Sequence, residues 1–133
     1  MFQLKHIDHV ALTVRDVEKS VLWYKEILGL QRFHELVWGS FPAVVGTGNT
    51  SLALFPVASE HPEGPPGPDT ICARHIAFLT DRENFEHAQR ELEDKGIQFQ
   101  FQDHTIAHSI YLLDPDGHQL EITTYEALVN RER

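Results

Sequence analysis

Two stretches of the chain, 66 residues apart, carry one pattern. Asp8-His9-Val10-Ala11-Leu12-Thr13-Val14-Arg15-Asp16 returns as Arg74-His75-Ile76-Ala77-Phe78-Leu79-Thr80-Asp81. In each, apolar residues alternate with others, the period of a strand with one buried face. In each, an aspartate follows that suits a helix N-cap. Behind Asp16, Val17, Val21, Tyr24 and Leu28 lie at helical spacing. Behind Asp81, Phe85, Ala88 and Leu92 do the same. Gly29-Leu30-Gln31 stops the first helix and Gly96-Ile97-Gln98 the second, the offset having drifted to 67. Such self-similarity marks a duplicated structural unit.

Strands fill the rest of each copy. In the first, Leu30 to Trp38, Ala43 to Gly46 and Ser51 to Phe55 read as strands, with Gly48-Asn49 as a turn between the last two. In the second, strands are predicted at about 97–102, 109–113 and 119–124. Asp114-Pro115-Asp116-Gly117 is a turn joining the last pair. Pro115 pre-sets its own φ, the Asp side chains bond nearby backbone, and Gly117 accepts positive φ. Five of the seven prolines fall between residues 56 and 70, with Gly64 and Gly67 among them. The expected organisation is therefore α+β: one domain of two βαβββ modules, about 4–56 and 71–125, joined by a Pro/Gly-rich linker at 57–70.

At 133 residues the chain is long enough to bury a core. A net charge of −9 with no basic cluster argues against nucleic acid and anionic membrane as partners. No apolar run approaches the roughly 20 residues of a membrane span. The opening Met-Phe-Gln-Leu-Lys-His lacks the pattern of a signal peptide, so a cytoplasmic protein is expected. The single Cys72 excludes an internal disulfide and a cysteine zinc cluster.

The duplication makes candidate chemistry legible. His9 and His75 hold the same place in the two first strands. Glu121, between Leu120 and Ile122, has Ala53 as its counterpart, between Leu52 and Leu54. Two symmetric histidines and one carboxylate suit a divalent metal, and a facial set of this kind is the arrangement of non-haem iron(II) oxygenases. The alternative is three unrelated residues: two strand-end histidines and a solvated glutamate. His34, His61, His87, His108 and His118 lie in or beside polar segments and read as surface or loop residues. Trp38, Phe41, Phe99 and Phe101 either shape an apolar cavity or belong to the core.

Ile7 to Val14, Trp23-Tyr24-Lys25-Glu26-Ile27-Leu28-Gly29-Leu30, Arg74 to Phe78 and Tyr111 to Glu121 together resemble the vicinal oxygen chelate superfamily. It includes glyoxalase I, methylmalonyl-CoA epimerase, fosfomycin- and bleomycin-resistance proteins and extradiol ring-cleaving dioxygenases. The resemblance implies paired modules whose curved mixed sheet encloses a metal, with His9, His75 and Glu121 as its ligands. Ala53 stands where glyoxalase I-like members use a second carboxylate, and alanine neither binds metal nor takes a proton. The order His104, Ile110-Tyr111, Asp114-Pro115-Asp116-Gly117, Glu121 is similar to the extradiol dioxygenase signature, although Gln102 departs from it.

That similarity implies iron(II), with manganese, nickel or zinc as alternatives, and a catechol-type substrate. His104 would transfer protons, a histidine's reference pKa being about 6.5. Tyr111 would hydrogen-bond a substrate oxygen. The rivals are a fosfomycin-resistance-type transferase, which shares the turn and the tyrosine, a glyoxalase-like lyase, and a bleomycin-resistance-like binding protein. Members of the superfamily also pair, so a homodimer is expected.

Overall fold

The computed structural model describes residues 1–127. By backbone contacts the chain divides into two compact units, Met1–Glu63 and Gly64 onward.

In the first unit, β1 (Val10–Val14) leads into α1 (Val17–Leu28). The Asp16 side chain accepts from the Lys19 amide and caps the helix. Gly29, at φ 68°, reverses the chain in the left-handed conformation. Its amide and that of Leu30 close on the carbonyls of Lys25 and Tyr24. The strands β2 (Gln31–Phe33), β3 (Ala43–Thr47) and β4 (Thr50–Pro56) follow, with a single helical turn, α2 (Glu35–Trp38), between the first two. The sheet order is β1-β4-β3-β2, with β1 parallel to β4 and the other pairs antiparallel. One face carries Val14, Val45, Leu52 and Leu54, all buried, and α1 covers it with Val21 and Tyr24.

The second unit repeats this plan. It comprises β5 (Ile76–Leu79), α3 (Arg82–Asp94), β6 (Gln100–Asp103), β7 (His108–Leu113) and β8 (Gln119–Thr124). Its order is β5-β8-β7-β6, again with the first pair parallel. The Asp81 side chain caps α3 through the Asn84 amide. Gly96, at φ 70°, ends it, and the Ile97 amide returns to the Leu92 carbonyl. Phe85 and Leu92 are buried, with Ile110, Leu112 and Leu120 also in this core. Asp114 organises the β7–β8 turn, its Oδ1 accepting from the amides of Asp116 and His118 while Gly117 adopts φ 90°. Each unit is thus a βαβββ module with its own four-stranded mixed sheet. Residues 57–75 contain no helix or strand. No helix among the described residues is long and apolar enough to cross a membrane.

Three expectations need correction. The stretch Leu30 to Trp38 is not one strand. It leaves the sheet at Phe33, because His34 adopts φ 62° and its carbonyl accepts from the amides of Val37 and Trp38. Arg32 reinforces the corner, bridging Glu18 and Glu35 and donating to the Gly39 carbonyl. Secondly, the strand-like alternation that runs from Asp8 in the sequence joins the sheet only at Val10, which pairs with Leu52. Thirdly, the strand expected from 97 begins at Gln100, since Ile97 is engaged in closing α3.

Gly46 gives this architecture a test. It lies on β3 opposite Ser51, and a Cβ there would run into the Thr50 carbonyl oxygen and stand 2.9 Å from the Ser51 Cα. Backbone atoms of a paired strand cannot step aside as a side chain does. Gly46→Ala is therefore expected to lower the unfolding free energy by about 1–3 kcal/mol, the usual cost of overpacking. A denaturant melt checks this; an unchanged midpoint would show that the β3–β4 hairpin relaxes freely.

Candidate active site

The register within each sheet gives the repeat counterparts equivalent ladder positions. In the first unit Ala53 pairs with Ala11 on one side and Val44 on the other. In the second, Glu121 pairs with Ala77 and Tyr111 in the same arrangement. The equivalence of Ala53 and Glu121 is thus a feature of the hydrogen-bonded ladders. So is the equivalence of Val44 and Tyr111, which pair with Ala53 and Glu121 in their own sheets and which the sequence repeat alone did not draw out.

Four of the five expected site residues come together in the second unit. His75 stands just before β5, and its Nε2 lies 2.9 Å from Glu121 Oε1. Tyr111 meets the His75 ring edge to face, with centroids 5.7 Å apart. His104 follows β6, and its Nε2 lies 2.9 Å from the Tyr111 hydroxyl. Glu121 is 8% exposed, so its carboxylate is not the solvated side chain of the bland alternative. The fifth residue, His9, belongs to the first unit. Its Nδ1 lies 2.8 Å from Asp8 Oδ2, which makes Nε2 the nitrogen open to coordination. Within either unit, no three His, Cys, Asp or Glu side chains among the described residues gather as a metal-binding group.

Ser109 is a member of this cluster that sequence reasoning missed. It is fully buried and donates to Glu121 Oε2 at 2.6 Å, the short distance of a bond to a charged acceptor. Its oxygen also lies 2.8 Å from Thr123 Oγ1, so the hydroxyl is locked on both sides. The available signal was parity: Ser109 is two residues from Tyr111 on one strand, and hence on the same face.

Burial, and then the neighbouring Glu121 carboxylate, raise the Tyr111 phenol above its ordinary value of 10.0. Tyr111 therefore keeps its proton throughout the neutral range and acts there as a hydrogen-bond donor. Its partner His104 leads into a tight corner: the His104 amide donates to the Ala107 carbonyl, and Asp103 Oδ1 accepts from the Thr105 amide. Thr105 holds φ 73°, a conformation a β-branched residue rarely takes.

His108 is not the surface residue expected of it. It is buried, with Nδ1 2.8 Å from Arg82 Nη2, and Arg82 also donates through Nε to the Glu126 carbonyl. The polar sequence around His108 hid this, because the arginine that receives it is 26 residues away. Among the four aromatics, Trp38, Phe41 and Phe101 are about half exposed and so are not core.

The family model described as the Glyoxalase/Bleomycin resistance protein/Dioxygenase superfamily matches residues 6–122, and the chain belongs to that superfamily. It is 31% identical to the glutathione transferase FosA of Serratia marcescens, over 90% of this chain and 80% of that one. It is 29% identical to the metallothiol transferase FosB of Staphylococcus epidermidis (strain ATCC 12228), over 92% and 83%. It is 28% identical to the catechol-2,3-dioxygenase of Bacillus subtilis, over 88% of this chain but only 40% of that longer protein. Among solved structures, a glyoxalase/dioxygenase from Nostoc punctiforme superposes with a TM-score of 0.75 at 28% identity, over 90% of both chains.

Proposed function

We propose that this chain is a divalent-metal-dependent enzyme, with His9, His75 and Glu121 as metal ligands and Tyr111 and His104 acting on a small-molecule substrate. One observation carries this reading: a buried carboxylate, oriented by Ser109, meets an imidazole nitrogen at 2.9 Å. The donor set fits a divalent ion, imidazole and carboxylate both being suitable ligands. Two of the three are supported as metal ligands usually are, Glu121 by Ser109 and His9 by Asp8. The third proposed donor, His9, is the counterpart of His75 in the repeat. A divalent metal held there supplies Lewis-acid polarisation of a substrate oxygen.

The protein's own groups then divide the remaining work. Tyr111 offers its hydroxyl proton beside Glu121, and His104 Nε2, in contact with that hydroxyl, accepts or returns a proton. The first reading of the reaction is transfer of a thiol to a small electrophile. Its support is the similarity to two transferases over most of both chains. Extradiol cleavage of a catechol by an iron(II) protein is the second reading. What favours it is the His104–Tyr111 contact, the histidine and tyrosine of the ring-cleavage signature standing together beside Glu121. A homodimer is also proposed, since Leu36, Val37 and Phe41 leave apolar surface exposed on the first unit.

Anaerobic purification with metal analysis, followed by two parallel assays, tests the readings. Manganese- or nickel-loaded protein that consumes glutathione in the presence of small epoxides supports transfer. Iron-loaded protein that takes up oxygen with a catechol panel supports ring cleavage. A protein that retains ligands but turns over neither substrate class is a binding protein, and the enzymatic reading fails.

A further inference from the structure

His104 stands on the exposed tip of the β6–β7 hairpin, yet its Nε2 is held 2.9 Å from the Tyr111 hydroxyl. The conformation of that tip needs restraint. Thr105 sits at φ 73°, and a β-branched residue stays in the left-handed region only where its surroundings hold it there. Asp103 supplies one such hold, its Oδ1 accepting from the Thr105 amide at 2.8 Å. The same oxygen stands 3.5 Å from His108 Nε2, across the ladder position where Asp103 and His108 pair.

His108 is secured from the helix side. It is buried, and the Phe101 ring meets it edge to face at 5.2 Å. Its Nδ1 lies 2.8 Å from Arg82 Nη2. A guanidinium only donates, so Nδ1 accepts and the ring hydrogen sits on Nε2. That nitrogen is buried and makes no hydrogen bond among the described residues, which leaves the Asp103 carboxylate as the acceptor facing it. Arg82 is itself pinned at the start of α3. Its amide donates to Glu126 Oε1, its Nε donates to the Glu126 carbonyl, and its guanidinium lies over the Phe85 ring, 5.2 Å from the centroid. A line of contacts therefore runs from α3 through a buried imidazole to the hairpin tip.

Strand alternation gives this line a use. His108 and Ile110 lie on the helix side of β7, while Ser109 and Tyr111 lie on the side of the candidate site. Asp103, opposite His108, is on the helix side too, and His104, the next residue, turns the other way to meet Tyr111. We propose that Asp103, His108 and Arg82 are positioning residues, which clamp the hairpin tip from the helix side and so keep the His104 ring on the Tyr111 hydroxyl. The proposal rests on the enzymatic reading only in taking His104 to move a proton.

The test is NMR relaxation dispersion on ¹³C-labelled histidine rings of the full chain, with EDTA present and no substrate. It reads the population of a His104 ring detached from Tyr111. Asp103→Ala, a change at a half-exposed side chain, is expected to raise that population about fivefold, the scale of one net hydrogen bond. Asp103→Asn retains an oxygen for the Thr105 amide and is expected to stay within about twofold of the parent. His108→Phe retains a ring against Phe101 but offers Arg82 no acceptor, and it too is expected to raise the detached population. An unchanged population in Asp103→Ala, or an equal rise in Asp103→Asn, would overturn the proposal. So would a lower melting temperature in His108→Phe with the His104 ring still seated on Tyr111, the mark of a purely structural role. A failure of the catalytic reading, by contrast, appears as an undiminished rate in His104→Ala and leaves the dispersion measurement untouched.

Discussion

Replacing Glu121 with alanine is expected to strip most of the bound divalent metal from the protein while leaving it folded. The carboxylate supplies the one anionic ligand of the proposed set, and without it two neutral imidazoles remain. The fold should survive because the same ladder position in the first unit is already alanine: Ala53 pairs with Ala11 and Val44 as Glu121 pairs with Ala77 and Tyr111. Ser109 loses its charged acceptor but keeps Thr123 Oγ1 at 2.8 Å, so no buried hydroxyl is stranded. Elemental analysis of anaerobically purified protein, beside a thermal melt, gives the answer. Metal content equal to the parent's would place the site elsewhere.

Replacing His104 with alanine is expected to slow turnover by about 10²-fold or more, the scale of a proton-transfer residue, with metal content unchanged. The separation of the two effects follows from position. His104 reaches the site through the Tyr111 hydroxyl at 2.9 Å and is not among the proposed ligands. The side chain lies at an exposed corner, so its loss leaves no cavity in the core. The comparison uses whichever substrate the oxygen-uptake or thiol-consumption assay identifies, with metal measured on the same samples. An undiminished rate would reduce His104 to a loop residue that happens to touch a tyrosine.

The modules themselves were legible because duplication leaves local, periodic traces. Asp16 and Asp81 cap helices, Gly29 and Gly96 end them, and Asp114 to Gly117 turns the last hairpin, all through contacts within a few residues. Alternation across Leu120, Glu121 and Ile122 marked a carboxylate opposite two core residues. The misread stretch was Leu36-Val37-Trp38. Its apolar run suggested a strand, and no local signal announced that His34 would take a left-handed conformation while Arg32 bridged Glu18 and Glu35.

By itself the sequence determined the βαβββ plan, its duplication and the identity of the residues worth watching, since periodicity and turn chemistry act over short separations. Only the tertiary structure decided which partners those residues meet. Ser109 on Glu121, His104 on Tyr111 and Arg82 on the buried His108 all depend on how strands and helices pair. Such contacts are set by ladder register and by packing between segments, and a one-residue slip would turn the strand residues among them, His108, Ser109, Tyr111 and Glu121, to the opposite face.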